Sequence, residues 1–264
     1  MPLIVAGQHR KKRFRHARIA VAFFLSMFIS VPLYAFDFSQ WSAILRNNTR
    51  PSNYAGIEYS GLDYAAIRNS GEFDKLLGSL ELFSPEELHG REEKLAFWIN
   101  VYNIFAVKLV RDHFPITSIR NVGSIFSPVW TMPVGKVGGQ MYTLNDIEHE
   151  ILRPMNEPGI HFAIVCASVS CPDLRSEAYT ASALRDQLRS QAKRFLESKG
   201  KGMWVEREKK MVHLSMIFEW YKKDFAESGG VIGFLNGEGG GSWNIPQGYA
   251  IKYLPYNWDL NTAR

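Results

Sequence analysis

Cys166 and Cys171 are the only two cysteines of the chain, and both fall in one short stretch, His161 to Leu174, HFAIVCASVSCPDL. Its first half alternates, with His161, Ala163 and Val165 on one side and Phe162, Ile164 and Cys166 on the other, which predicts a strand. Its second half, Ser168-Val169-Ser170, predicts an exposed turn, and Pro172 biases Cys171 toward an extended conformation away from the core. Cys166 is therefore expected to be buried and inert, and Cys171 to be the exposed thiol. A thiolate acts as a nucleophile when an imidazolium or a helix N-terminus lowers its pKa, and His161 and His149 are both available. Other readings stay open. An oxidising compartment favours a structural Cys166–Cys171 disulfide. A metal site built from both cysteines and one or two histidines can be drawn, but the usual two-residue cysteine spacing is absent. The plainest reading has a small core residue and a loop thiol without a role.

These residues need a scaffold, and the pattern predicts one. Arg91 to His113 reads as a long apolar helix, with Leu95, Trp98, Ile99, Tyr102, Phe105, Ala106, Leu109 and Val110 on a wide stripe. Asn100 and Asn103 interrupt it, and a buried asparagine must find partners for both ends of its carboxamide. Tyr64 to Leu82 has helical spacing broken at Gly71, and Ser84-Pro85-Glu86-Glu87 reads as a helix start. Val129–Leu144 predicts a hairpin, then Asn145 or Thr143 caps a short helix carrying Glu148, His149 and Arg153, with Thr143 and Asp146 at capping-box spacing. An amphipathic helix around Leu184 to Leu196, a hairpin of Met203–Glu206 with Met211–Leu214, and a helix capped by Ser215 follow. The aromatic tail from Tyr253 is expected to pack back onto the domain, and Phe36–Ser60 to wrap it as an extended arm. Helices and hairpins without a regular strand–helix–strand rhythm predict an α+β fold, a single domain of helices packed around short antiparallel hairpins. No glycine-rich phosphate loop or dinucleotide fingerprint occurs, and no cofactor or metal is expected.

The N-terminus sets the compartment. Arg10 to Arg18 is basic, Ile19 to Leu33 is apolar, and Tyr34-Ala35 ends on a small residue, the layout of a signal peptide cleaved after Ala35. The apolar run is short of the ~20 residues of a spanning helix, so no stable membrane insertion is expected after cleavage. The chain of 264 residues carries +5, but the leader holds six of its 31 basic residues and none of its 26 acidic ones. The remainder is close to neutral, which removes the charge argument for nucleic acid as a partner. The expected location is periplasmic or secreted. The organisation reads as 1–35 signal peptide, 36–93 N-terminal arm and lead-in helices, and 94–264 core domain, with GEGGGS at 237–242 as a loop.

Five blocks carry a resemblance: KLAFWINVYN at 94–103, LNDIEHEILRP at 144–154, HFAIVCASVSCPDL at 161–174, FEWYKKDF at 218–225 and YLPYNWDLN at 253–261. In this order they resemble the family known as domain of unknown function 547, in a bacterial secreted form. The resemblance implies no assigned activity; animal members look like fusions to glutaredoxin-like domains and plant members to leucine zippers. The blocks contain both histidines, Glu148 and the paired asparagines. Cys171, His161, His149, Glu148 and Asn103 thus form the candidate catalytic set of a Cys–His–carboxylate or Cys–His–carboxamide arrangement. The expected function is a thiol-dependent enzyme of acyl transfer or hydrolysis acting on peptide or cell-envelope material. The alternative is a non-catalytic envelope binding module whose cysteines form a disulfide.

Overall fold

A computed structural model of the protein describes residues 35–124, 127–237 and 243–264. The expected leader up to Tyr34 and most of the GEGGGS loop lie outside the described residues. The first element among the described residues is a helix, α1 (Ser39–Asn48), followed by a hairpin of β1 (Thr49–Tyr54) and β2 (Ile57–Leu62). The expected extended arm is corrected here. Trp41, Ile44 and Leu45 fall one helical turn apart and are buried together, and Ala55-Gly56 takes the two positive φ angles of a tight hairpin turn. Two short helices follow, α2 (Tyr64–Arg68) and α3 (Gly71–Leu82), N-capped by Asp63 and Ser70.

The helix α4 (Arg91–His113) has the predicted limits. It is buried on every side from Leu95 to Val107, which is what an apolar surface wider than one stripe requires. Residues of α1 to α3 and of α4 share one core with Ile160, Ala163, Val165 and Cys171. A hairpin of β3 (Gly135–Val137) and β4 (Gln140–Tyr142) leads into Thr143 and Asp146, which cap reciprocally: each backbone N–H donates to the other side chain, at 2.9 and 3.0 Å. A wide-turned helix, Asp146–Leu152, follows and ends near Asn156 in the left-handed region.

The expected strand from His161 to Cys166 is not formed. Pro158–Phe162 is a short 3-10 helix and the chain then runs as an irregular buried loop. Residues 161 to 165 are all buried, both parities alike, so the alternation did not mark two faces. A buried loop must still pair its backbone polar groups. Asn103 of α4 does so, donating from Nδ2 to the Ala163 carbonyl at 2.9 Å and accepting from the Val165 N–H on Oδ1 at 2.8 Å. One carboxamide takes the place of a neighbouring strand. Asn100, one turn earlier, clamps the backbone of Tyr179 in the same two-sided way.

The C-terminal half brings α5 (Leu184–Glu197), β5 (Met203–Glu206), β6 (Met211–Leu214), α6 (Ile217–Trp220), α7 (Gly230–Asn236) and β7 (Ala250–Tyr253). Both predicted strands of the β5–β6 hairpin are found, and β7 joins β6 in parallel. A second core gathers the rings of Phe162, Phe195, Phe218, Phe225 and Phe234. The loop that carries the cysteines therefore lies at a seam: Phe162 belongs to this second core, and Ala163, Ile164, Val165, Ala167 and Cys171 belong to the first. The fold is α+β, helices around short antiparallel strand pairs. The tail returns as expected: Val169 and Ser170 donate to the carbonyls of Asp259 and Asn257, and Asn261 N–H donates to the Ala167 carbonyl.

Candidate functional site

The loop after Val165 turns sharply. Ala167 has φ +58, a left-handed conformation that costs an alanine on the order of 1–2 kcal/mol, and Cys171 N–H closes the turn on the Ser168 carbonyl. This bend folds Cys171 back onto Cys166. The two thiols are free, with Sγ atoms 2.8 Å apart, and Cys166 N–H donates to Cys171 Sγ at 2.9 Å. Two hydroxyls complete the setting. Cys166 Sγ lies 3.3 Å from Ser168 Oγ and 3.2 Å from Tyr256 Oη, and Ser168 Oγ donates to Tyr256 Oη at 3.1 Å.

The exposure of the cysteines reverses the expectation. Cys171 is 3% exposed and Cys166 is the partly exposed one. Strand parity had assigned Cys166 to the core, and with no strand that argument falls. Hydrogen bonding from Cys171 lowers the Cys166 thiol to about 7 against the cost of burial, and Ser168 and Tyr256 add to the lowering. Burial first, and then the neighbouring sulfur, push the Cys171 thiol well above its ordinary value. The two shifts run in opposite directions, as they do when two neighbouring thiols share a proton, with the thiolate favoured on Cys166. Burial also pushes the Tyr256 phenol well up, so its O–H persists as a donor.

The remaining candidate residues lie elsewhere in the network. His161 is buried and stacked on Tyr221, ring centroids 4.0 Å apart, and its Nε2 meets Asp224 Oδ2 at 2.8 Å. Asp224 also receives Arg153 on both oxygens, at 2.7 and 2.8 Å, and Arg153 reaches His149 Nδ1 at 2.9 Å. Arg153 first, and His161 with it, hold the Asp224 carboxyl well below the usual carboxylate range. Among the described residues no imidazole hydrogen-bonds to either sulfur. Glu148 is buried and accepts from Tyr102 Oη at 3.2 Å, while its Oε1 and the Nδ1 of His161 have no hydrogen-bond partner among the described residues. Asn103 uses both ends of its carboxamide on the loop backbone, so it positions the cysteines.

Sequence reasoning missed Ser168 and Tyr256 as hydrogen-bond partners of the sulfur. Both stood in quoted blocks, but a serine in a turn and a tyrosine in a tail carry no local sign that they meet 88 residues apart. Tyr256 also belongs to a surface cluster with Trp220 and Trp258, and Trp220 is 44% exposed. A cleft of about 750 Å³ lined by Arg91, Arg153, Arg189, Lys223 and Asp224 touches the carboxylate network and is not lined by either cysteine. Among the described residues no group of three or more His, Cys, Asp or Glu is placed to hold a metal ion, and no helix is long and apolar enough to cross a membrane.

Residues 85–196 match the family described as Protein of unknown function, DUF547. They include α4, both cysteines, His149 and His161, whereas Asp224 and Tyr256 lie beyond the match. No curated protein and no solved structure matches the chain.

Proposed function

We propose, on the premise that the chain belongs to the DUF547 family, that it is a thiol-dependent enzyme whose attacking atom is Cys166 Sγ. One observation carries this reading: Cys171, Ser168 and Tyr256 converge on the sulfur of Cys166, a partly exposed residue. Hydrogen bonds to the charged form favour it, so the donors hold a thiolate at neutral pH without an imidazole. The thiolate attacks an electrophilic centre and forms a covalent adduct on sulfur, and the protons nearest to a leaving group are those of Cys171 and Tyr256. The basic–apolar–small layout of the N-terminus supports work in the periplasm or outside the cell, on peptide or envelope material.

The test is the rate of iodoacetamide labelling from pH 5 to 10, mapped to each cysteine by mass spectrometry. Cys166 should label first, with half-maximal rate at about pH 7, below the ~8.5 of an ordinary cysteine. Equal, slow labelling of both thiols would sink the proposal. A second reading, a non-catalytic binding module with a Cys166–Cys171 disulfide, draws on the 2.8 Å between the sulfurs. It predicts that protein from the secreted fraction cannot be alkylated before reduction and does not regain a disulfide with substrate.

A further inference from the structure

The contact between the sulfurs bears on which electrophile Cys166 meets. We infer that its substrate is a disulfide, and that Cys171 is the resolving thiol which displaces the adduct from Cys166. This rests on Cys166 being the attacking sulfur and adds the identity of the second nucleophile.

The geometry separates this chemistry from acyl transfer. An acyl adduct on Cys166 has to be released by water or an amine with help from a base, and no imidazole contacts the sulfur among the described residues. The nearest nucleophile to such an adduct is Cys171 Sγ, 2.8 Å away. A movement of less than ~1 Å brings that separation to the ~2.05 Å of a covalent S–S bond. Transfer of an acyl group to Cys171 would only repeat the thioester on a buried atom. Transfer of the bond between sulfurs, by contrast, ends the reaction and releases product.

The steps balance. The Cys166 thiolate attacks one sulfur of R–S–S–R′; the Cys166–S–R bond forms, the S–S bond of the substrate breaks, and R′–S⁻ leaves. Cys171 gives its proton to the departing thiolate, and its sulfur attacks Cys166 Sγ. The Cys166–Cys171 bond forms and R–S⁻ leaves. Two electrons pass from the pair to the substrate, and run in reverse the oxidised pair oxidises a dithiol. The division of labour fits thiol exchange: the attacking cysteine is a partly exposed residue and the resolving cysteine is buried against it. Asn103 fixes the loop on one side, and Ala167 and the tail fix the turn on the other, so the thiols are held in register before any substrate arrives.

Reduced protein is mixed with glutathione disulfide, or in a second arm with a disulfide-bonded peptide, and quenched in acid over time for intact mass and cysteine mapping. Wild type should pass through a Cys166 adduct to a product lighter by two hydrogens. Cys171→Ser should stop at the adduct, with its first step slowed by less than about tenfold, and Cys166→Ser should form neither species. The faster arm identifies a small-molecule or a polypeptide disulfide as the source. An adduct that persists in wild type as long as in Cys171→Ser overturns the resolving role, and so does no reaction with either disulfide while Cys166 still labels rapidly with iodoacetamide; in both cases the attacking-sulfur reading survives. Loss of rapid Cys166 labelling would sink both. Wild-type kinetics decide the matter even if a variant fails to fold, and melting curves identify such a variant.

Discussion

The two ends of the stretch from His161 to Cys171 treat their polar groups in opposite ways. At the histidine end, the imidazole bonds a carboxylate that also accepts two bonds from an arginine, with a tyrosine ring stacked on its face. The charges there neutralise one another. At the cysteine end, donors meet a sulfur and no cation is bonded to it among the described residues, so the arrangement there favours a negative charge. An ion pair within a bonded network holds structure, whereas a stabilised thiolate on a partly exposed residue is available to react. The comparison assigns positioning to His161 and reactivity to Cys166, although residue types alone make a histidine beside a cysteine look like a base.

The sharpest way to break this contrast is Cys166→Ser. Rapid iodoacetamide labelling at pH 7 should fall by at least about a hundredfold, because the remaining thiol is buried and protonated and each pKa unit is worth tenfold in thiolate. Persistent rapid labelling would move the reactivity to Cys171. Asn103→Leu comes next. It orphans the Ala163 carbonyl and the Val165 N–H at about 1–3 kcal/mol for each buried group, or a fall in Tm of roughly 2–4 °C per kcal/mol for a chain of this size. An unchanged Tm would mean that the loop does not depend on α4.

Asp224→Asn tests the histidine end. It removes the charged acceptor of Arg153 and His161, with an expected loss of about 1–3 kcal/mol, while Cys166 labelling stays as it was. Its pH dependence has a definite sign. The folded carboxyl lies below its unfolded value of ~3.9, so its contribution is full above that pH and is lost as pH falls below it. Urea denaturation should therefore show the advantage of wild type over the variant shrinking progressively as the pH falls below about 4. Slowed Cys166 labelling in Asp224→Asn would join the two ends into one machine and end the contrast. The smallest effect is expected of Tyr256→Phe. Loss of one O–H donor should move the labelling midpoint of Cys166 upward by about half a pH unit. A larger movement would place the main support of the thiolate in the tail.

What the residues alone established was whatever short-range periodicity and local chemistry encode. The limits of α4, the strands of β5 and β6, the Thr143–Asp146 cap and the burial of Asn100 and Asn103 all follow from spacing within a few turns of chain. The short stretch with both cysteines was recognisable as the chemical centre by content. Its conformation was not. Alternation over six residues fits a strand and a fully buried loop equally well, and the choice was made by Asn103, about 60 residues earlier, which supplied the backbone partners. Which cysteine is poised to react was likewise decided in three dimensions. The left-handed turn at Ala167 buries Cys171, and the returning tail sets the Tyr256 hydroxyl on Cys166. Thiol reactivity depends on burial and on donors brought from distant parts of the chain, and neither quantity is carried by the residues next to the sulfur.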